Sequence, residues 1–102
     1  MQKEIKTKKK DIENICRALN VKRMYAFGSS VKDDFDEHSD IDFLISFSDE
    51  ISIDEYSENY FELYHKLKDL LHREVDIVTE HSLSNPYFIE SIDESKELIY
   101  EA

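Results

Sequence analysis

The chain has 102 residues, with 13 lysines and arginines against 24 aspartates and glutamates, so its formal net charge is −11 at pH 7. This length predicts a single small domain with a core built from its 40% hydrophobic residues, and the negative charge disfavours nucleic acid as a partner. No apolar run is long enough for a membrane span, the lysine-rich start lacks the apolar stretch of a secretory signal, and one cysteine cannot form an internal disulfide, so we expect a cytoplasmic protein.

The first half of the chain predicts two helices and two strands. Apolar residues at helical spacing indicate the first helix, and Cys16 on its apolar face is expected in the core. The second strand is apolar on both faces, which predicts a central, covered position in a sheet. In chain order, the predicted elements are a helix over 3–19, a strand over 23–27, a short helix from residue 29 or 30, a polar loop over 34–39 and a strand over 40–47.

The second half of the chain predicts the longest helix, a third strand and a last helix. Ser52 and Glu55 have the spacing of a capping box, and Asn85 followed by Pro86 is typical of a helix start. The alternation of helix and strand predicts an α/β (α+β) fold, a small mixed sheet with helices packed on it. The predicted elements are a helix over 53–72, a strand over 74–79, a helix from residue 86 and a segment over 98–100 that is either an edge strand or helix.

Three tyrosines recur at intervals of four residues on the long helix: Tyr56, Tyr60 and Tyr64. This spacing places them on one side of the helix, beside its stripe of leucines. We expect their rings to pack on the core while their hydroxyls reach water. The alternative is a partner interface, where exposed tyrosines are enriched.

The most informative motif joins the only glycine of the chain to a pair of aspartates. Gly28-Ser29 follows the first predicted strand, and Asp40-Ile41-Asp42 comes ten residues later at the start of the second. A strand that ends in a glycine turn leaves backbone N–H groups free to bind phosphate. Two carboxylates on the same face of a strand suit divalent-metal chemistry on a nucleotide. An isolated Asp-x-Asp would indicate only a solvated strand start, so its spacing from the glycine carries the functional interpretation.

This motif resembles the signature of the DNA polymerase beta nucleotidyltransferase superfamily. At this size the chain resembles the minimal nucleotidyltransferases, the MNT antitoxins that pair with HEPN-domain toxins. The resemblance implies a polymerase-beta-like nucleotidyltransferase fold and a third carboxylate on a later strand, where Asp76 is available. It further implies two Mg²⁺ ions held by Asp40, Asp42 and Asp76, with Asp76 accepting a proton from the acceptor, and a phosphate site formed by Gly28, Ser29, Ser30 and Lys32.

The resemblance implies an enzyme that transfers AMP from ATP to a hydroxyl of a HEPN-type toxin and thereby acts as its antitoxin. One alternative is a module that neutralises its partner by contact alone. It is favoured by Val31, Lys32 and Asp33, since family members often have alanine, arginine and glycine there, whereas the complete set of three aspartates favours the enzyme. A further alternative is transfer to a small molecule, which is disfavoured because the aminoglycoside nucleotidylyltransferases carry an additional helical domain.

Overall fold

The computed structural model describes residues 3–28 and 40–102, and in these residues helices pack on a four-stranded mixed sheet. The predicted α/β fold class is therefore confirmed. In chain order the elements are α1 (Lys3–Thr7), α2 (Lys9–Ala18), β1 (Val21–Phe27), β2 (Ile41–Phe47), α3 (Ile53–Leu71), β3 (Val75–Thr79), a 3₁₀ turn (Glu80–Ser82), α4 (Pro86–Ser95) and β4 (Glu97–Glu101).

The strand order of the sheet is β3-β2-β1-β4. Strand β1 pairs antiparallel with both β2 and β4, while β2 and β3 are parallel and are connected through α3. The predicted central position of β2 is confirmed, since Phe43, Leu44 and Ile45 are all buried. The C-terminal segment, for which strand and helix were both open, forms the edge strand β4.

The two faces of the sheet carry separate apolar clusters. On one face, Ile41, Phe43 and Ile45 of β2 join the main core, against which the first three helices pack. On the other face, Leu44 packs with Phe27 and with Ile92 of α4. Because strand side chains alternate between faces, Asp42 lies on the same face as Leu44, outside the main core.

The first helix differs from the prediction of one continuous element over 3–19. It consists of α1 and α2, which are separated at Lys8, where the backbone has φ −104° and ψ 15°. The hydrogen bonds from Lys8 N to Glu4 O and from Ile12 N to Lys8 O persist, so the break is local. The Lys8 ammonium group donates to Leu70 O of α3 at 3.0 Å, which ties this point to the neighbouring helix. Sequence periodicity does not detect such a break because the buried spacing of Ile5 and Ile12 continues across it.

Both predicted helix caps are present. The Ser52 hydroxyl accepts a hydrogen bond from Glu55 N at 3.1 Å, and the Asn85 side chain accepts from the backbone N–H groups of Tyr87 and Phe88. The Glu55 carboxylate accepts from the Ser52 hydroxyl at 3.3 Å instead of returning to the Ser52 backbone, so only half of the capping box forms. These caps determine where α3 and α4 begin.

The tyrosine rings of α3 pack against the main core as predicted, but their hydroxyls bind protein groups. The Tyr60 hydroxyl donates to Ile77 O at 2.9 Å, and the Tyr64 hydroxyl donates to a Glu74 carboxylate oxygen at 2.7 Å. These contacts attach α3 to β3 along the edge of the sheet. Across residues 3–28 and 40–102, no helix is both long and apolar enough to span a membrane.

Candidate active site

The glycine turn at the end of β1 lies directly against the Asp42 carboxylate. Gly28 has φ +66°, a conformation that side-chain-bearing residues rarely adopt. A Cβ atom at this position would lie 2.9 Å from Asp42 Oδ2, so there is no room for one without displacing the carboxylate. Both the backbone angle and the close approach therefore require glycine here.

Asp42 and Asp76 are direct neighbours across the parallel β2 and β3 pair. Asp42 is in register with Asp76 on one side and with Phe27 of β1 on the other. Asp42 is half-buried, whereas Asp76 is exposed, as is Asp40 immediately before β2. The parallel register of β2 and β3 aligns the two carboxylates on one face of the sheet.

The electrostatics of this cluster centre on Asp42. Partial burial, followed by the negative charges of Asp76 and Asp40, raises the pKa of Asp42 from its usual 3.8 to about 6. Neighbouring carboxylates that disfavour each other's ionised form are stabilised by a cation placed between them. This arrangement is therefore suited to binding a divalent metal ion.

The carboxylate cluster is not a closed cage of metal ligands. Considering only residues 3–28 and 40–102, no three histidine, cysteine, aspartate or glutamate side chains converge closely enough to surround an ion. Three of the predicted phosphate-binding residues, Ser29, Ser30 and Lys32, lie outside the described residues, as do the predicted short helix and the loop over 34–39. Of the predicted phosphate-binding residues, only Gly28 can be placed.

One residue that sequence reasoning missed supports the glycine turn from behind. The Gly28 N–H donates to the Ser95 hydroxyl oxygen at 3.1 Å, and that hydroxyl lies 3.2 Å from its acceptor Ser91 O. The last turn of α4 thus holds Gly28 against Asp42, and the Gly28 N–H is already bonded to the Ser95 hydroxyl. No signal in the sequence identifies Ser95, because it lies 67 residues from Gly28 and ends an ordinary helix.

Tyr60 is a second neighbour of the cluster that the sequence analysis considered only for packing or a partner interface. Burial and the negative charge of Asp76 raise the pKa of Tyr60, which places the phenol within electrostatic reach of that carboxylate. The Tyr60 hydroxyl itself donates to Ile77 O, the residue after Asp76. The α3 helix and the candidate active site therefore meet at the outer edge of β3.

Comparison with known proteins agrees with this fold. The family model described as polymerase beta, nucleotidyltransferase matches residues 10–102. A Methanocaldococcus jannaschii protein named "Putative protein adenylyltransferase" is 40% identical over 98 residues, which cover 96% of this chain and 92% of that relative. A solved structure named as a "putative minimal nucleotidyltransferase" superimposes with a TM-score of 0.75 at 25% identity and covers 91% of this chain and 90% of that one.

A solved complex of a tri-AMPylated Shewanella oneidensis HEPN toxin with an MNT antitoxin also matches the fold. The TM-score is 0.64 at 20% identity, and the match covers 95% of this chain and 72% of the matched chain. At this identity the likeness concerns the fold alone. The family model and the curated relative both extend over most of the chain, and the chain therefore belongs to the polymerase beta nucleotidyltransferase family and is a nucleotidyltransferase.

Proposed function

We propose that the whole chain forms one nucleotidyltransferase domain, which uses Mg²⁺ and ATP to transfer AMP to a hydroxyl of a HEPN-type toxin in the cytoplasm and so acts as its antitoxin. The name of the curated relative supports protein adenylylation, and the AMPylated toxin in the Shewanella oneidensis complex supports the partner. The observation that carries the proposal is the in-register pairing of Asp42 with Asp76 beside Gly28.

Carboxylate oxygens are the ligands that Mg²⁺ prefers, and the described residues hold Asp42 and Asp76 in register without closing around an ion. This ion prefers a few carboxylate oxygens and completes its octahedral shell with phosphate oxygens and water, so it does not need a closed cage of protein ligands. In the proposal Asp40, Asp42 and Asp76 hold two Mg²⁺ ions together with the triphosphate. The raised pKa of Asp42 supports this, because a cation would favour its ionised form. When bound, the metal stabilises the negative charge that develops on the phosphates during transfer.

The aspartates have different proposed roles according to their exposure. Asp76 is exposed at the outermost strand, where a macromolecular acceptor can approach, and it accepts the proton of the acceptor hydroxyl. The hydroxyl oxygen forms a bond to the α-phosphorus of ATP, the bond from that phosphorus to pyrophosphate breaks, and pyrophosphate leaves. Asp42, half-buried against the glycine turn, would ligate Mg²⁺ and orient the reacting phosphate only through that ion.

The proposed phosphate site comprises the residues at and after the glycine turn. Ser29, Ser30 and Lys32 donate hydrogen bonds or positive charge to the β- and γ-phosphates. Gly28 contributes space and turn geometry and does not donate a hydrogen bond to the phosphates, since its N–H is bound to Ser95. Ser95 is then a positioning residue, which acts on the nucleotide through Gly28.

The proposal is tested by measuring the intact mass of a HEPN-domain protein that is encoded beside this chain or co-purifies with it. The two proteins are incubated with ATP and Mg²⁺, and the matched variants are Asp42→Asn and Asp69→Asn. Asp69 is an exposed residue of α3 and serves as the control for a lost carboxylate. We expect additions of AMP mass with the wild type and with Asp69→Asn, and none with Asp42→Asn or without Mg²⁺.

Two outcomes would contradict the enzymatic proposal. Stable binding of the partner without any added mass would favour neutralisation by contact. Full protection from the toxin by Asp42→Asn would likewise show that transfer is not needed for neutralisation. Mass additions that persist in Asp42→Asn would remove that residue from the proposed mechanism.

A further inference from the structure

An apolar groove of about 370 Å³ lies between α3 and the outer edge of β3. Strand β3 is the last strand on this side of the described sheet, so its outer edge faces α3 and solvent. The groove lies apart from the glycine turn, and Ile77, one of its lining residues, also belongs to the main core. Its walls are formed by Tyr56, Tyr60 and Phe61 of α3 and by Ile77, Val78 and Thr79 of β3.

One end of this edge groove adjoins the candidate active site. Asp76 precedes Ile77 on β3, and the Tyr60 hydroxyl donates to Ile77 O at 2.9 Å. A chain segment lying in the groove would therefore pass beside the carboxylate that is proposed to take the acceptor proton. The groove thus begins one residue along β3 from the exposed Asp76, and the glycine turn is not among its lining residues.

The groove presents apolar surface to solvent. The Phe61 side chain is 62% exposed, although α3 buries its other apolar face in the core. A single exposed apolar residue is ordinary, but one that lines a groove of this volume is a typical anchor site for a partner side chain. The space is sufficient for one large aliphatic or aromatic side chain.

The charge around the groove indicates the chemistry of its occupant. Asp54 and Glu58 lie on the exposed surface of α3, each three residues before a lining residue, Ser57 and Phe61 respectively, and so directly beside it. No lysine or arginine in residues 3–28 and 40–102 forms an ion pair with either acid. This rim repels nucleotides and other anions and attracts a basic segment.

Backbone pairing is not the expected mode of binding. The carbonyl groups of Ile77 and Thr79 already accept hydrogen bonds from the hydroxyls of Tyr60 and Ser82, at 2.9 Å and 2.8 Å. An added β-strand would have to displace both contacts, so the edge is protected against strand addition. A partner would instead bind through side chains.

We propose that the edge groove is the docking surface for the accepting polypeptide. The docked segment places an apolar side chain against Phe61, lysine or arginine against Asp54 and Glu58, and its hydroxyl-bearing residue beside Asp76. This inference rests on the proposed function, since it assigns the groove to the acceptor of AMP. It adds the location of the acceptor and the composition of the segment that binds there.

The test selects peptides on the protein without ATP, from a displayed random library in which the central residue is serine, threonine or tyrosine. Dissociation constants of the selected peptides are then measured for Phe61→Ala and Glu58→Lys. The matched controls on α4 are Tyr87→Ala, at a residue that is 82% exposed, and Glu90→Lys, at another exposed residue. We expect basic peptides with an apolar residue near the centre, bound about tenfold more weakly by either groove variant and unchanged by the controls.

Selection of no peptides, or of acidic ones, would overturn the docking proposal, as would affinities that do not change in Phe61→Ala and Glu58→Lys. The selected peptides are then incubated with the protein, ATP and Mg²⁺, and their intact masses are measured. Peptides that bind in the groove but gain no AMP would contradict the proposed function and leave the docking surface standing. AMP transfer to peptides whose KM does not depend on Phe61 would support the proposed function and contradict the docking surface.

Discussion

We expect Asp42→Asn to stabilise the metal-free protein at pH 8, although it removes a proposed catalytic carboxylate. In the folded protein, burial and the charges of Asp76 and Asp40 raise the pKa of Asp42 from 3.8 to about 6. The folded state therefore holds this proton more tightly than the unfolded state. The resulting stability is fully present below pH 3.8 and is lost as the pH rises through about 6.

The magnitude follows from the same shift. Each pKa unit corresponds to about 1.36 kcal/mol, so the full change from 3.8 to about 6 corresponds to roughly 3 kcal/mol. Asp42 is only half-buried, and screening by solvent reduces this to about 1–2 kcal/mol. Asparagine is neutral at every pH and nearly isosteric with aspartate. The variant therefore avoids the free-energy cost of ionising a half-buried carboxylate beside Asp76 and Asp40.

The assay is urea unfolding in EDTA, at pH 4 and at pH 8, followed by circular dichroism. The stability difference between Asp42→Asn and wild type should be about 1–2 kcal/mol larger at pH 8 than at pH 4. Hydrogen bonds altered by asparagine contribute equally at both pH values and cancel in this comparison. Asp69→Asn, at an exposed position of α3, should show no such change. An equal difference at the two pH values would refute the electrostatic reasoning.

Three further substitutions test the surroundings of the cluster. Gly28→Ala should destabilise the protein by about 1–3 kcal/mol in urea unfolding, because alanine is strained at φ +66° and its Cβ would collide with Asp42; an unchanged midpoint would contradict this. Ser95→Ala leaves the Gly28 N–H without its acceptor, so it should lower the free energy of unfolding by about 1–2 kcal/mol and raise the KM for ATP more than it lowers kcat. The control variant Ser95→Thr should retain the hydrogen bond. Equal stability and kinetic values for Ser95→Ala and wild type would exclude the positioning role. Tyr60→Phe should cost about 1 kcal/mol through the lost bond to Ile77 O and should expose the amides of β3 to faster hydrogen exchange; unaltered exchange would show that this bond does not protect the edge.

Much of the local structure was predictable from the sequence because its determinants lie close together in the chain. The stripe of α3, its Ser52 cap and the Asn85-Pro86 start of α4 are all found where the pattern indicates. The spacing of the glycine turn and the aspartates identified the candidate site and the family. The break at Lys8 was not predictable, since the buried spacing continues across it.

The tertiary structure decided how these parts meet. Parallel pairing of β2 and β3, which local periodicity cannot distinguish from antiparallel pairing, places Asp42 opposite Asp76. The contact from Ser95 to Gly28 and the edge groove beside Tyr60 join residues that are distant in sequence. The amino-acid sequence by itself therefore determined most of the elements and the reactive residue types, but neither the break at Lys8 nor the strand conformation of the C-terminal segment. The convergence of these residues depended on strand order and helix packing, because side chains on different elements interact only once those elements pack against each other.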